Sequence, residues 1–172
     1  MLTAVVICLL PVSAAFAAPD NPSGLPLPRF ASTRNSPINV RVGPGVKYDV
    51  AWVYVKPGIP VEIVQEYDTW RRIRDVDGTE GWVQQSFLIG RRVGLVAPGQ
   101  SGKQFPLLSR RADDASVRAY LGAGYDVDIR DCDGSWCEVS ATDHTKGGHA
   151  ATYSGFLAQS SIWGAYPGEK FN

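Results

Sequence analysis

The sequence predicts an all-β protein made of two copies of one small barrel. Three observations predict it. Short runs of alternating apolar and polar residues recur along the chain, separated by Gly, Pro, Asn and Asp, as half-buried strands and their turns require. Apolar residues at helical spacing are scarce. A self-comparison then lays "WVYVKPGIPVEIVQEYDTWRRIR" (52–74) over "RAYLGAGYDVDIRDCDGSWCEVS" (118–140) without a gap. In that overlay Tyr54 meets Tyr120, Gly58 meets Gly124, Val61 and Ile63 meet Val127 and Ile129, and Trp70 meets Trp136.

Taken in order, the chain opens with "MLTAVVICLLPVSAAFA", an apolar run from Leu2 to Val12 followed by Ala15 and Ala17 at the positions a signal peptidase reads. Residues 1–17 are expected to be a signal peptide cleaved before Ala18, and Cys8 leaves with it. The run is short for a membrane span, which needs about 20 residues. The Pro-rich segment 18–27 reads as a linker. A first barrel is expected over 28–95, with strands near 38–42, 50–55, 60–66, 70–76 and 80–84 and turns at Gly43-Pro44-Gly45, Pro57-Gly58 and Asp77-Gly78. A linker at 96–103 leads to a second barrel over 104–168. Its register is recovered late, since "EGWVQQSFLIG" (80–90) matches "SGFLAQSSIWG" (154–164) only across a gap. The second copy therefore carries an insert at about 141–153.

Secretion decides how "RDCDGSWCEVS" (130–140) is read. Cys132 and Cys137 flank an Asp133-Gly134 turn between two alternating runs, in a compartment where disulfides persist. A metal knuckle wants about four ligands, and a redox pair is usually C-x-x-C at a helix start. A disulfide clasping a β-hairpin is the expectation.

Several function classes fall away. Residues 29–92 carry ten basic and seven acidic side chains and residues 93–172 carry seven and nine. No concentrated basic stripe results, so nucleic acid is not an expected partner. The sequence holds no Gly-x-Ser-x-Gly, P-loop or HExxH motif. With Cys132 and Cys137 joined, a Cys-His peptidase lacks its nucleophile. No enzyme activity, cofactor or metal is expected. Asp143, His144 and His149 in "TDHTKGGHA" read as the solvated tip of a hairpin, because neither spacing nor flanking structure fixes a metal geometry.

The candidate binding residues follow from strand parity. In "WRRIRDV", Ile73 shares one face with Arg71 and Asp75, while Trp70, Arg72 and Arg74 share the other. The neighbouring "EGWVQ" run brings Trp82 and Gln84 beside them. Aromatic area with guanidinium groups suits peptide or sugar-peptide ligands, because Arg pairs with carboxylates bidentately. Tyr54 joins the candidate set, although Tyr48, Trp52 and Tyr54 are equally readable as core.

The blocks "INVRVGPG", "DTW" and "GTEGWV", in that order, resemble the bacterial SH3-like (SH3b) family, in particular secreted alphaproteobacterial proteins with tandem copies. The resemblance covers residues 28–168 and is looser in the second copy, which lacks the "NVRxGPG" block. It implies small barrels of five to seven strands and a binding module, often one that targets peptidoglycan. The expected partners are peptidoglycan stem peptides or an envelope protein, with no membrane insertion after signal cleavage. The competing expectation is a regulatory or assembly subunit of an envelope enzyme, such as an inhibitor, with no affinity for the wall.

Overall fold

A computed structural model describes residues 21–143 and 150–171. The predicted signal peptide, the start of the linker, His144 and His149 lie outside the described residues.

The described chain is all-β, as expected, with two short 3-10 turns. The first sheet is built from β1 (Arg29–Thr33), β2 (Ile38–Arg41), β3 (Val50–Tyr54), β4 (Pro60–Tyr67), β5 (Trp70–Arg74), β6 (Glu80–Gln84) and β7 (Leu88–Ile89). Its order is β3-β2-β6-β5-β4-β1-β7. The second contains β8 (Val93–Val96), β9 (Gln104–Leu108), β10 (Val117–Gly122), β11 (Asp126–Asp133), β12 (Trp136–Asp143), β13 (Ala151–Ala158) and β14 (Ile162–Trp163), with β15 (Lys170–Phe171) added at β11. Its path is β10-β9-β13-β12-β11-β8-β14. The two orders are the same list shifted by seven strands. Among the described residues each path is open, so each sheet curls round its core without a ladder closing the ring.

Alternation sets the two cores. Ile38, Val40, Val61, Ile63, Ile73 and Val83 are buried in the first. Val96, Leu107, Val127, Ile129, Val139 and Leu157 are buried in the second. One close approach recurs in both units. A Cβ on Gly81 would lie 2.5 Å from Val40 Cγ1, and one on Gly155 would lie 2.5 Å from the Leu108 carbonyl oxygen. Only glycine lets β2 cross β6, and β9 cross β13, at that distance. The crossings are made at Arg41↔Trp82 and Phe156↔Leu108.

Three features differ from the sequence reading. Strands β1 and β7 pair at Ser32↔Ile89 and Thr33↔Leu88 and extend the first sheet beyond the five strands drawn from periodicity. The segment 93–95, assigned above to the first unit, forms most of β8 and pairs with β11 and β14. The reason is burial: Val93 is 6% and Val96 0% exposed, and Val96 packs in the second core. The overlay of Tyr54 on Tyr120 also fails in orientation. Tyr54 lies opposite buried Ile38, whereas Tyr120 lies opposite Pro106 and is 61% exposed; both ladders carry the same shift, at Val50/Trp52 and at Val117/Ala119, so β10 stands one residue out of step with the overlay. A one-residue slip turns a strand over. The segment placed in the insert prolongs β12 and β13, which stay paired as far as Asp143↔Ala151.

The units meet at a ring cluster. Phe30 stands edge-on to Trp163 at 5.1 Å and 4.7 Å from Tyr166, and the Arg92 guanidinium lies 4.3 Å from the Phe171 ring centroid. Arg92 also pairs with Glu169, and the Tyr166 hydroxyl donates to Glu62 at 2.7 Å.

Candidate functional site

The predicted parity of β5 holds. Ile73 and Arg71 are turned inward, at 0% and 5% exposure, and Trp70, Arg72 and Arg74 are partly exposed on the outer face. Residues directly opposite one another across antiparallel strands share a face, so pairing assembles the surface row by row. Tyr67, Trp70 and Gln84 form one row, and Gln65, Arg72, Trp82 and Arg41 form the next. Glu62, Arg74 and Glu80 form a third. Tyr67 is 60% exposed and closes the aromatic edge. Trp70 and Trp82 are half-buried and stand on the side of the sheet away from Val61, Ile73 and Val83.

Two members of the predicted set behave differently. Tyr54 is not on this surface. Its ring packs against the first core together with Trp52, edge-on at 6.1 Å, and burial pushes its hydroxyl above the ordinary tyrosine range. The partner across the ladder decides this, because Ile38 faces inward and Tyr54 must follow. Arg74 is on the surface but engaged. Its Nε and Nη2 donate to Glu62 Oε2 at 2.8 and 2.6 Å, and Glu62 also receives the Tyr166 hydroxyl. Burial, then the hydrogen bond to Glu62, hold the Tyr166 hydroxyl well above its usual range. Arg74 is therefore part of the contact between the units. Arg72 pairs with Glu80 at 2.8 Å, with its side chain 44% exposed. Arg41 and Tyr67 were not singled out in the sequence. Their only signal is position, Tyr67 just before the "DT" turn and Arg41 within "NVRVGPG".

Beneath the surface lies an ionic cluster. Glu66, 4% exposed, accepts from Arg29 Nη2 at 2.5 Å, from the Ser23 hydroxyl at 2.7 Å and from the Ser23 amide at 2.8 Å. Arg71 Nε lies 3.1 Å away. Burial alone would push the Glu66 carboxyl up, but the bonds from Arg29 and Ser23 and the Arg71 charge outweigh it and hold it below the usual range. Arg71 in turn donates to the carbonyls of Asp68 and Trp70 and to Gln85. The turn that presents Tyr67 and Trp70 is thus tied from below.

In the second unit Trp136 begins β12 as Trp70 begins β5, and it lines an apolar groove of about 280 Å³ with Val117 and Tyr120. Cys132 and Cys137 are joined as expected, across a directly opposed pair with Cα atoms 4.1 Å apart. Gly134 takes φ 101°, and the Asp133 carboxylate accepts from the amides of Ser135 and Trp136, both at 2.9 Å. Those two amides hold its carboxyl below the ordinary range.

Residues 34–90 match the family model described as the bacterial SH3 domain. This segment of the chain is a bacterial SH3 domain. The match takes in β2 to β7, and so every residue of the aromatic and guanidinium surface. No curated protein matches the chain. Among solved structures it is similar to NlpC1 from Trichomonas vaginalis, at 12% identity and a TM-score of 0.33, with 90% of this chain and 50% of that one covered. It is similar also to NlpC2 from the same organism, at 12% identity and 0.33, over 79% and 48%. The chain spans about half the length of each, and likenesses this distant carry no statement about function. Among the described residues, no helix is long and apolar enough to cross a membrane.

Proposed function

We propose that this is a non-enzymatic, exported binding protein of the bacterial envelope. Its SH3 domain takes a peptide-bearing ligand, a peptidoglycan stem peptide or a segment of an envelope protein, on the outer face of β4, β5 and β6. The supporting observation is the row structure of that face. Tyr67, Trp70 and Trp82 supply rings that stand on the outer side of the sheet, beside Arg41 and Arg72. Rigid aromatic area costs little side-chain entropy when it is covered, and such residues dominate binding energy where they cluster. Arg72, already paired with Glu80, can exchange that partly exposed carboxylate for one on a ligand at small cost, since surface ion pairs contribute about 0–1 kcal/mol.

The disulfide supports export, because an extracytoplasmic compartment is where such a bond persists. Sedimentation with purified sacculi tests the reading. Protein beginning at Ala18 is expected to pellet with sacculi and to be released by soluble stem peptides. Protein that stays in the supernatant across a range of salt overturns wall binding. A regulatory subunit of an envelope enzyme is then the reading to pursue.

A further inference from the structure

We propose that the cleft between the two units is a separate binding site, for a short peptide that ends in a free carboxylate. The cleft encloses about 780 Å³ and takes its walls from both units, within the range of about 300–1,000 Å³ in which small ligands are held. One wall is the end of β1 with the Pro57-Gly58 turn and Ile89, and the other is the start of β11.

The pairing of the lining charges gives the ligand its sign. The acids of the cleft, Asp126 and Asp128, each have a cation from the other side: Lys56 reaches Asp126 at 3.2 Å, and Arg91 pairs with Asp128. Arg34 lines the same space, and among the described residues its guanidinium has neither an ion pair nor a hydrogen bond. Of the charged residues that line the cleft, Arg34 is the one left unpaired, and its planar fork fits a carboxylate.

The backbone beneath Arg34 is fixed, so the fork is presented from a firm base. Its amide donates to the Phe87 carbonyl at 2.8 Å, and Thr33 is clasped by the 57–59 turn through its carbonyl, amide and hydroxyl oxygen. Thr33 Oγ1 accepts the Ile59 amide at 2.8 Å and keeps its own proton to donate. Across the gap the Tyr125 hydroxyl gives its proton to the Thr142 carbonyl at 2.8 Å, which leaves its oxygen free to accept a peptide N–H. Ile89, 39% exposed, offers apolar surface for a small side chain next to the carboxylate. A carboxylate, a small apolar group and an amide are together the chemistry of a peptide C-terminus. None of Trp70, Arg72 or Trp82 borders this space, so the site is distinct from the outer face of the SH3 domain.

Calorimetric titration of the protein from Ala18 with N-acetyl-alanyl-alanine tests the assignment, with the C-terminal amide of the same peptide and with glucuronate as the other arms. The acid is expected to saturate, and the amide and glucuronate to bind at least tenfold more weakly. Arg34→Ala is expected to lose at least tenfold with an unchanged melting temperature. No saturation by the acid, equal binding of the amide, or full affinity in Arg34→Ala overturns the site. Glucuronate binding as tightly as the acid overturns the peptide assignment. The titration is read through Arg34 and the sacculus experiment through Trp70, so failure of this site and failure of that experiment are told apart.

Discussion

Glu66 is a carboxylate taken almost wholly out of water and held by two guanidinium groups and a serine. Removing its charge strands Arg29 and Arg71 against the same wall, and breaking a buried pair in this way costs about 3–5 kcal/mol. Glu66→Gln is therefore expected to lower stability by about 3 kcal/mol in urea unfolding. Its pH dependence carries a sign. The folded protein holds Glu66 below its ordinary value, so this contribution is complete above the unfolded carboxyl range near pH 4.3 and fades as pH falls through the lower folded value. The wild-type and Glu66→Gln curves should converge on acidification and stay apart at pH 7. A constant gap throughout would contradict the ionic account. At this scale the sequence was legible where one strand decides. Parity alone turned Trp70 outward and Ile73 inward. It was not legible where a distant partner decides: Tyr54 follows Ile38 across a ladder, and Arg74 is claimed by Glu62, the acceptor of a hydroxyl 104 residues along the chain.

The β11–β12 hairpin shows what a staple contributes to an element. Its ring is short, so the entropy removed from the unfolded chain corresponds to only about 2 kcal/mol, and the paired strands on either side need no bridge to find their register. Cys132→Ser with Cys137→Ser is expected to keep the β circular dichroism spectrum and lose no more than about 2 kcal/mol. Mass spectrometry of the unreduced wild type should show a two-dalton deficit and no alkylation. Collapse of the fold on reduction would mean that the hairpin depends on the bond. The strands near 38–84 and this hairpin were readable because each alternates over several residues or carries its own turn. Strand β7 is two residues long and β1 has four of its five residues buried, so neither shows a period of two. They are defined by pairing with each other and with β4, which local pattern does not record.

For the whole molecule, the identical strand orders and the recurrent glycine crossings reflect the internal similarity seen in the sequence, whereas the way the units meet had no signal there. Phe30, Trp163, Tyr166 and Arg92 come together from both ends of the described chain. Phe30→Ala removes the ring common to both aromatic contacts. We expect the wild type to melt in a single calorimetric transition and Phe30→Ala in two, one for each unit. A single transition that merely moves to lower temperature would show that Phe30 supports one core and does not couple two.

Trp70 is the residue on which the proposed binding role of the outer face of the SH3 domain depends. Its ring lies across the sheet from the core, so Trp70→Ala should cost about 1 kcal/mol in stability, well below the 3–5 kcal/mol of a buried aromatic. If the ring is a hot spot, affinity falls by about 2 kcal/mol, roughly thirtyfold. Binding isotherms on sacculi, run beside thermal melts of the same variant, read both quantities. A binding role for the outer face requires weakened binding with a nearly unchanged melt; unchanged affinity with a large loss of stability would contradict it.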